Sequence, residues 1–479
     1  LYIMFFILKQ DSGSWFFTDF LVGDVNTQIA VFLLAFLGFG IKAGFMPFHF
    51  WLPQAHPIAP SFLSAFLSGV IIKLGIYGII RSFLFLANLP EFFAWIVIAI
   101  SLFSAIMGVW YALAQHDIKR LLAYHSVENI GIIGLGIGIG MLGAAKQIPS
   151  IEVLGFGGAL LHTLNHAIFK SLLFLGSGTI YHNLKTRNIE LMGGIVHKAK
   201  YLTFMFLIGS VAISGLPPFN GFISEFIIYS GLFKSAAEIK QYYPIIMLTL
   251  VVGLAFVGGL AVACFTKVNS IMFLGAERKE IKKFETSITE KISFSFLAFF
   301  CIVIGFFPHP FVGVVNNAVI SVFNLRYNAA DLVDINWVYF TSIFSSIAII
   351  IFIVYFIKLR AELKFGKRVS DAWGCGYTNL NNRMQYTASS FADELTSIPK
   401  NLLMYDKHFE VSQTPFPIKS HFSSHSFDIV DNKIVLPLFN IIKNLSLKIK
   451  IFSLNDVRHY IALILTILLI YSIIAFVWM

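Results

Sequence analysis

Residues 42–52 read KAGFMPFHFWL, a lysine, a glycine and a proline inside a run that is otherwise apolar from 26 to 52. A helix of about 20 apolar residues crosses a bilayer. Pro47 removes a backbone donor and clashes with the preceding turn, so this span breaks near its middle. A second span, 202–232, carries SGLPPFNGFISE at 214–225, with Pro217, Pro218 and Gly221 at a similar depth. Interrupted helices at paired positions mark a transporter built from inverted repeats, whose irregular backbone lines a hydrated path at the bilayer midplane. Simple proline kinks are the alternative, but both breaks have an ionisable neighbour, Lys42 and Glu225. The expected fold is therefore all-α, a polytopic transmembrane helix bundle with two broken helices.

The composition agrees, because 57% of the 479 residues are hydrophobic and only 13% are charged. Apolar runs recur at 26–52, 60–86, 92–115, 121–143, 154–181, 202–232, 244–274, 292–320, 337–357 and 459–478, ten spans in all. Strands of the outer-membrane type are absent from the pattern. The net charge of +10 does not point to nucleic acid. When sides alternate from the first complete span, 26 of the 35 Lys and Arg residues fall on one face, 6 on the other, and Lys42, Lys73 and Lys170 lie within spans. By the positive-inside rule the first face is cytoplasmic, which makes the chain a multi-pass protein of the cytoplasmic membrane. Cys264, Cys301 and Cys375 are scattered singly, without the spacing a metal, cluster or disulfide requires, and no cofactor is expected.

Ionisable groups at the bilayer centre are costly and persist where they pair or line water. Lys73 lies too deep to snorkel, whereas Arg81, eight residues on, can reach the interface. LLHTLNHAIFKSLLF, at 160–174, places His162, His166 and Lys170 at i, i+4 and i+8, one face of a helix with about 6 Å between neighbours. A lone buried histidine is usually a hydrogen-bonded core residue. A row ending in a lysine reads better as a proton path with one water between neighbours, because histidine titrates near neutrality and desolvation disfavours a lysine's charge. As a zinc site the pair lacks a third ligand and the glutamate of HExxH. AYHSVENIGIIG, opening the span at 121–143, adds His125, Ser126, Glu128 and Asn129. His125 reads equally as part of a solvated helix start, while Glu128 lies deeper and is the candidate proton carrier.

Four segments follow from these patterns: 1–25, a short helix and outer loop; 26–358, the transmembrane bundle; 359–450, a polar cytoplasmic arm; and 451–479, an anchoring span. Within the arm, 432–452 places Ile434, Leu438, Ile441 and Leu445 on one face of an amphipathic helix lying in the membrane plane. The chain begins inside an apolar run, LYIMFFILK, too short to span and without the layout of a signal peptide. It is expected to be truncated at its N-terminus.

The stretches at 42–81, 115–138, 160–182 and 213–226 resemble the antiporter-like, proton-pumping membrane subunits of respiratory complex I, Mrp sodium/proton antiporters and group 4 [NiFe] hydrogenases. HSVENIG at 125–131, DAWGCGY at 371–377 and RMQYTASSFADEL at 383–395 are most similar to the hydrogenase-4 and formate hydrogenlyase branch. The resemblance implies an antiporter-like fold. It also implies a polar axis of Lys42, Lys73, His162, His166, Lys170 and Glu225, beside which Glu128 stands from its own depth, that moves protons, or Na+, when a neighbouring redox complex changes charge. Partners would be other membrane-arm subunits and a peripheral [NiFe] hydrogenase-like arm, with 371–394 docking against them. The family's glutamate upstream of the first broken helix has no counterpart here, and about five of its N-terminal helices are missing. A complex I subunit and a structural membrane anchor without pumping are the rival readings.

Overall fold

The computed structural model describes all residues except 88–89, 241–242, 279–281, 324–335, 367–375, 377–383, 411–420, 453–456 and 478–479. Two compact units, 1–426 and 427–479, follow one another. The first opens with α1 (Tyr2–Ser12), α2 (Val25–Ala43), α3 (Trp51–Ile58), α4 (Ser61–Phe66), α5 (Ile72–Phe83), α6 (Phe92–Ala114), α7 (Ile118–Lys146) and α8 (Pro149–Leu184). It continues with α9 (Ile195–Lys198), α10 (Lys200–Ile213), α11 (Asn220–Glu238), α12 (Tyr243–Val268), α13 (Ile288–Phe306), α14 (Pro308–Val322), α15 (Trp337–Phe365) and α16 (Ala388–Ser397). Seven described helices are long and apolar enough to cross a membrane by length and composition. The remaining expected spans are α8, diluted by glycine and polar residues, the broken pair α10–α11, and α18 (Val457–Val477) in the second unit, which also holds α17 (Leu436–Phe452).

The run at 292–320 is not one span. It divides into α13 and α14 at Phe307–Pro308, because a proline has no N–H to donate to the turn behind it and sits readily at the first position of a new helix. The described strands are β1 (Tyr405–Glu410) and β2 (His421–Ser426), an antiparallel pair in register from Tyr405 opposite Ser426 to Glu410 opposite His421.

α7 and α8 form the centre. Every residue of α7 from Leu121 to Gly143 is buried, and α8, 36 residues long, rises about 54 Å at 1.5 Å per residue. α8 packs on α4, α7, α10, α11, α13 and α14. The α7–α8 crossing depends on absent side chains: a Cβ on Gly155 would sit 2.2 Å from the Gly140 nitrogen. Such small-residue contacts let backbones approach where lipid supplies no hydrophobic drive between helices.

Both expected breaks are present. α2 ends at Gly44, whose φ of 89° is left-handed, and the chain resumes through a 3₁₀ turn, Phe48–Phe50, into α3. The freed backbone is satisfied by side chains: Ser104 Oγ accepts from the Met46 N–H at 2.9 Å, and Trp51 Nε1 donates to the Ile41 carbonyl at 2.9 Å. α10 ends at Ile213, Gly215 takes a φ of 62°, and α11 restarts at Asn220. The helix carrying Lys73 has its own irregularity, a π turn over Leu67–Ile71.

Candidate functional site

The central helices bring together a hydrogen-bonded series of buried side chains. On α7, His125 Nδ1 bonds the Glu128 carboxylate, and Asn129 Nδ2 donates to the same carboxylate at 3.4 Å and to the His125 carbonyl at 2.8 Å. Asn129 Oδ1 lies 3.1 Å from His162 Nε2 on α8, and His162 Nδ1 lies 2.9 Å from Ser224 Oγ on α11. Asn165 Nδ2 donates to Ser224 Oγ at 3.0 Å and to the Asn220 carbonyl at 2.7 Å, while Asn220 Nδ2 returns a bond to Asn165 Oδ1 at 3.2 Å. The series starts on α7, crosses α8 and ends at the second helix break.

Glu225 follows Ser224 directly and is buried. A Cβ on Gly215 would lie 2.5 Å from its Oε2, so the carboxylate rests against the break's left-handed glycine, where no larger residue fits.

Lys170 is fully buried; its ammonium donates to the Leu122 carbonyl and lies 5.4 Å from the Phe174 ring centroid. Lys73 donates to the Ser68 carbonyl at the π turn, and Ser68 Oγ bonds Ser126 Oγ at 2.9 Å. Lys73 thereby reaches α7 one turn before Asn129. His166 is fully buried and packs edge-on to Phe169 at 5.5 Å. Neither of its ring nitrogens has a hydrogen-bond partner among the described residues.

The ionisable residues of 160–174 turn to different partners. His162, His166 and Lys170 share α8, but no hydrogen bond joins them, since His162 is held between α7 and α11 and Lys170 turns to the Leu122 carbonyl. His162 and Lys170 each bond a facing helix, whereas His166 packs on Phe169 of its own helix. Lys42 is exposed on α2 and joins no part of the series among the described residues.

Asn165, Ser224, Asn220 and Ser68 are parts of the arrangement that the sequence reading passed over. Asn165 had a signal, because it sits at i+3 from His162 on the same face. Lys267 is a further buried lysine; it donates to the carbonyls of Leu113 and Gln115 at 2.6 and 2.9 Å and so closes the end of α6.

At the end of the bundle rich in Lys and Arg, part of the arm is described. Glu190 accepts from the Ala388 and Ser389 N–H groups at 3.1 and 2.6 Å, capping α16. Arg278 donates to the carbonyls of Glu190 and Tyr386 at 2.9 and 2.7 Å. His116 Nε2 lies 3.0 Å from Ser424 Oγ on β2, and Tyr111 donates to the Leu402 carbonyl at 2.8 Å. Burial, then the charge of Lys267, holds His116 down to about 4 against the opposing effect of Glu190. Of the expected docking stretch 371–394, residues 371–375 and 377–383 lie outside the described residues.

Residues 2–256 match the model of the NADH:quinone oxidoreductase/Mrp antiporter, TM family. The chain belongs to this family. It is 38% identical over 395 residues to Hydrogenase-4 component B of Escherichia coli (strain K12), covering 78% of this chain and 58% of that one. It is 37% identical over 363 residues to Formate hydrogenlyase subunit 3 of the same organism, covering 76% and 59%. The chain thus spans less than two thirds of the length of these relatives. Among solved structures, the membrane-bound sulfane sulfur reductase, an archaeal respiratory membrane complex, matches 98% of this chain and 73% of its own at a TM-score of 0.69 and 20% identity. That likeness establishes the antiporter-like fold.

Proposed function

We propose that this chain is the proton-translocating subunit, of antiporter type, of a redox-driven complex in the cytoplasmic membrane, of the group 4 [NiFe] hydrogenase or formate hydrogenlyase kind. The observation that carries the reading is the side-chain series from Glu128 through Asn129, His162 and Ser224 to Asn165 and Asn220. Amides and hydroxyls can each accept one hydrogen bond while donating another, and histidine exchanges protons near neutral pH. A series of this kind orders water and passes protons across α7, α8 and α11, where lipid-facing backbone could not.

In this reading Lys170 and Glu128 hold the proton on the cytoplasmic side, His162 passes it across α8, and Glu225, beside the second break, releases it outward. Lys73 responds to charge through the Ser68–Ser126 contact. Lys42, exposed on α2, meets a neighbouring polypeptide and transmits that polypeptide's charge state. The redox centre belongs to a peripheral hydrogenase-like partner, and other membrane-arm subunits flank this one. The identity to hydrogenase-4 and formate hydrogenlyase subunits supports that assignment over a complex I subunit.

The test uses the whole complex reconstituted in vesicles, with redox turnover and ion movement followed together. Lys170→Ala and Glu225→Gln should each lower the ions moved per turnover by at least about tenfold, the scale expected for losing an acid–base group. An unchanged ratio in both variants would leave a membrane anchor as the better description.

A further inference from the structure

A cavity of about 450 Å³ lies at the end of the bundle opposite the Lys- and Arg-rich one. Two side chains of opposite charge line it, Arg81 in the last turn of α5 and Glu152 in the first turn of α8. Glu152 is only 7% exposed. Among the described residues neither group has a hydrogen-bond or ion-pair partner, in the other or elsewhere. The Arg81 guanidinium lies instead 5.7 Å from the Phe85 ring centroid. The backbone of Glu152 is held closely, since a Cβ on Gly143 would come within 2.4 Å of its nitrogen.

The rest of the lining is an aromatic wall. Phe17 and Phe20 pack on Phe85 at 6.0 and 5.3 Å, and Phe83 meets Phe323, just beyond α14, at 6.1 Å. The Val22 N–H donates to the Phe85 carbonyl at 2.8 Å and the Ala87 N–H to the Val22 carbonyl at 3.3 Å, which fastens the α1–α2 connection to the end of α5. The same connection exposes Trp15, Phe16 and Phe17 beside the cavity. Exposed aromatic rings at the end of a transmembrane bundle sit at headgroup level, so the cavity meets the headgroup layer.

Opposite charges in one poorly solvated cavity attract strongly, and a buried polar group without a partner is costly. Arg81 and Glu152 share walls without pairing, and a molecule that satisfies both carries an anion and a cation a short span apart. Phosphate suits the planar guanidinium fork, and a primary ammonium, with three N–H donors, suits a carboxylate. A choline ammonium has no N–H to give. A headgroup with phosphate alone leaves Glu152 facing like charge.

We propose that Arg81 and Glu152 bind the headgroup of an ethanolamine-type phospholipid of the outer leaflet, phosphate to Arg81 and ammonium to Glu152, with the glycerol against the phenylalanine wall. The bilayer supplies this chemistry at the level of the cavity, which favours the lipid over a free zwitterion of the same kind. The site is independent of the series that starts at Glu128 and of the transport reading.

The experiment places the whole complex in nanodiscs of phosphatidylcholine, phosphatidylglycerol or phosphatidylethanolamine, each with the same trace of a photoactivatable phosphatidylethanolamine, and maps adducts by peptide mass spectrometry. Adducts should fall within 15–23 and 81–87 in the first two lipids. They should drop at least about tenfold in phosphatidylethanolamine, the factor for hydrogen bonds between charged groups. Arg81→Gln and Glu152→Gln, in phosphatidylcholine, should each lower them by a similar factor. Equal labelling of the wild-type complex in all three lipids would overturn the proposal, whether or not the variants assemble. Undiminished labelling of Glu152→Gln would overturn it too, since the ammonium would then have no reader. If soluble glycerophosphoethanolamine competes as well as the lipid, the ligand is a free zwitterion and the lipid assignment is wrong.

Discussion

Ser224 and Gly215 show how little latitude single positions leave in the central series. Ser224 bonds both His162 Nδ1 and Asn165 Nδ2, so Ser224→Ala leaves the buried His162 Nδ1 unpaired, at about 1–3 kcal/mol, and Asn165 Nδ2 with the Asn220 carbonyl alone. A lowered thermal midpoint of the purified complex, with transport reduced in step with the loss of His162 alignment, is the expected result. Gly215→Ala meets two obstacles at once, a φ of 62° and a Cβ 2.5 Å from the Glu225 carboxylate. The variant should behave in transport like Glu225→Gln; wild-type transport would show that the carboxylate need not lie against the break. Much of this was legible in the residues. His162, Glu128 and Glu225 stand out because charge is rare in apolar spans, whereas Asn165 and Ser224 do not, since amides and hydroxyls are common in membrane helices and become informative only when a facing helix is known.

Helices were easier to read than their partners. Length and apolarity gave most of the spans, though not the division of 292–320 at Pro308, and proline with glycine gave both breaks. What periodicity could not give was the direction in which each ionisable side chain turns: on α8, His162 and Lys170 bond facing helices while His166 packs on Phe169. The arm is a comparable case: its polar composition carries no repeat, and β1 and β2 are held by cross-strand pairing that no apolar alternation announces. This element has its own pH dependence. His116, packed among Lys267, Glu190, His425 and Ser424, is held down to about 4 from an ordinary value of 6.5. The released arm therefore binds a proton that the docked arm refuses as pH falls from 6.5 toward 4, and stability is lost over that window. Hydrogen exchange of β2 and α16 should accelerate between those pH values. His116→Asn should flatten the response, and an unchanged slope would mean that another group governs docking.

For the whole molecule, the central question is orientation. From the 26 to 6 division of Lys and Arg, the 185–200 loop is expected in the cytoplasm and Lys146 outside. Cysteines introduced at Lys185 and Lys146 should react with a membrane-impermeant thiol reagent from opposite sides; labelling from one side would overturn the topology and with it the direction of proposed transport. At this scale, α7 and α8 are a closely packed axis, and the series crosses it through Asn129, the link between the cytoplasmic carboxylate and His162. Asn129 never titrates, so its contribution is connection alone. The most direct measurement is the number of protons moved per redox turnover by the complex carrying Asn129→Leu. A fall of about tenfold with redox turnover retained, the kinetic equivalent of losing hydrogen bonds worth about 1–1.5 kcal/mol at the barrier, is the expected result. An unchanged ratio would contradict a proton path running from Glu128 to His162.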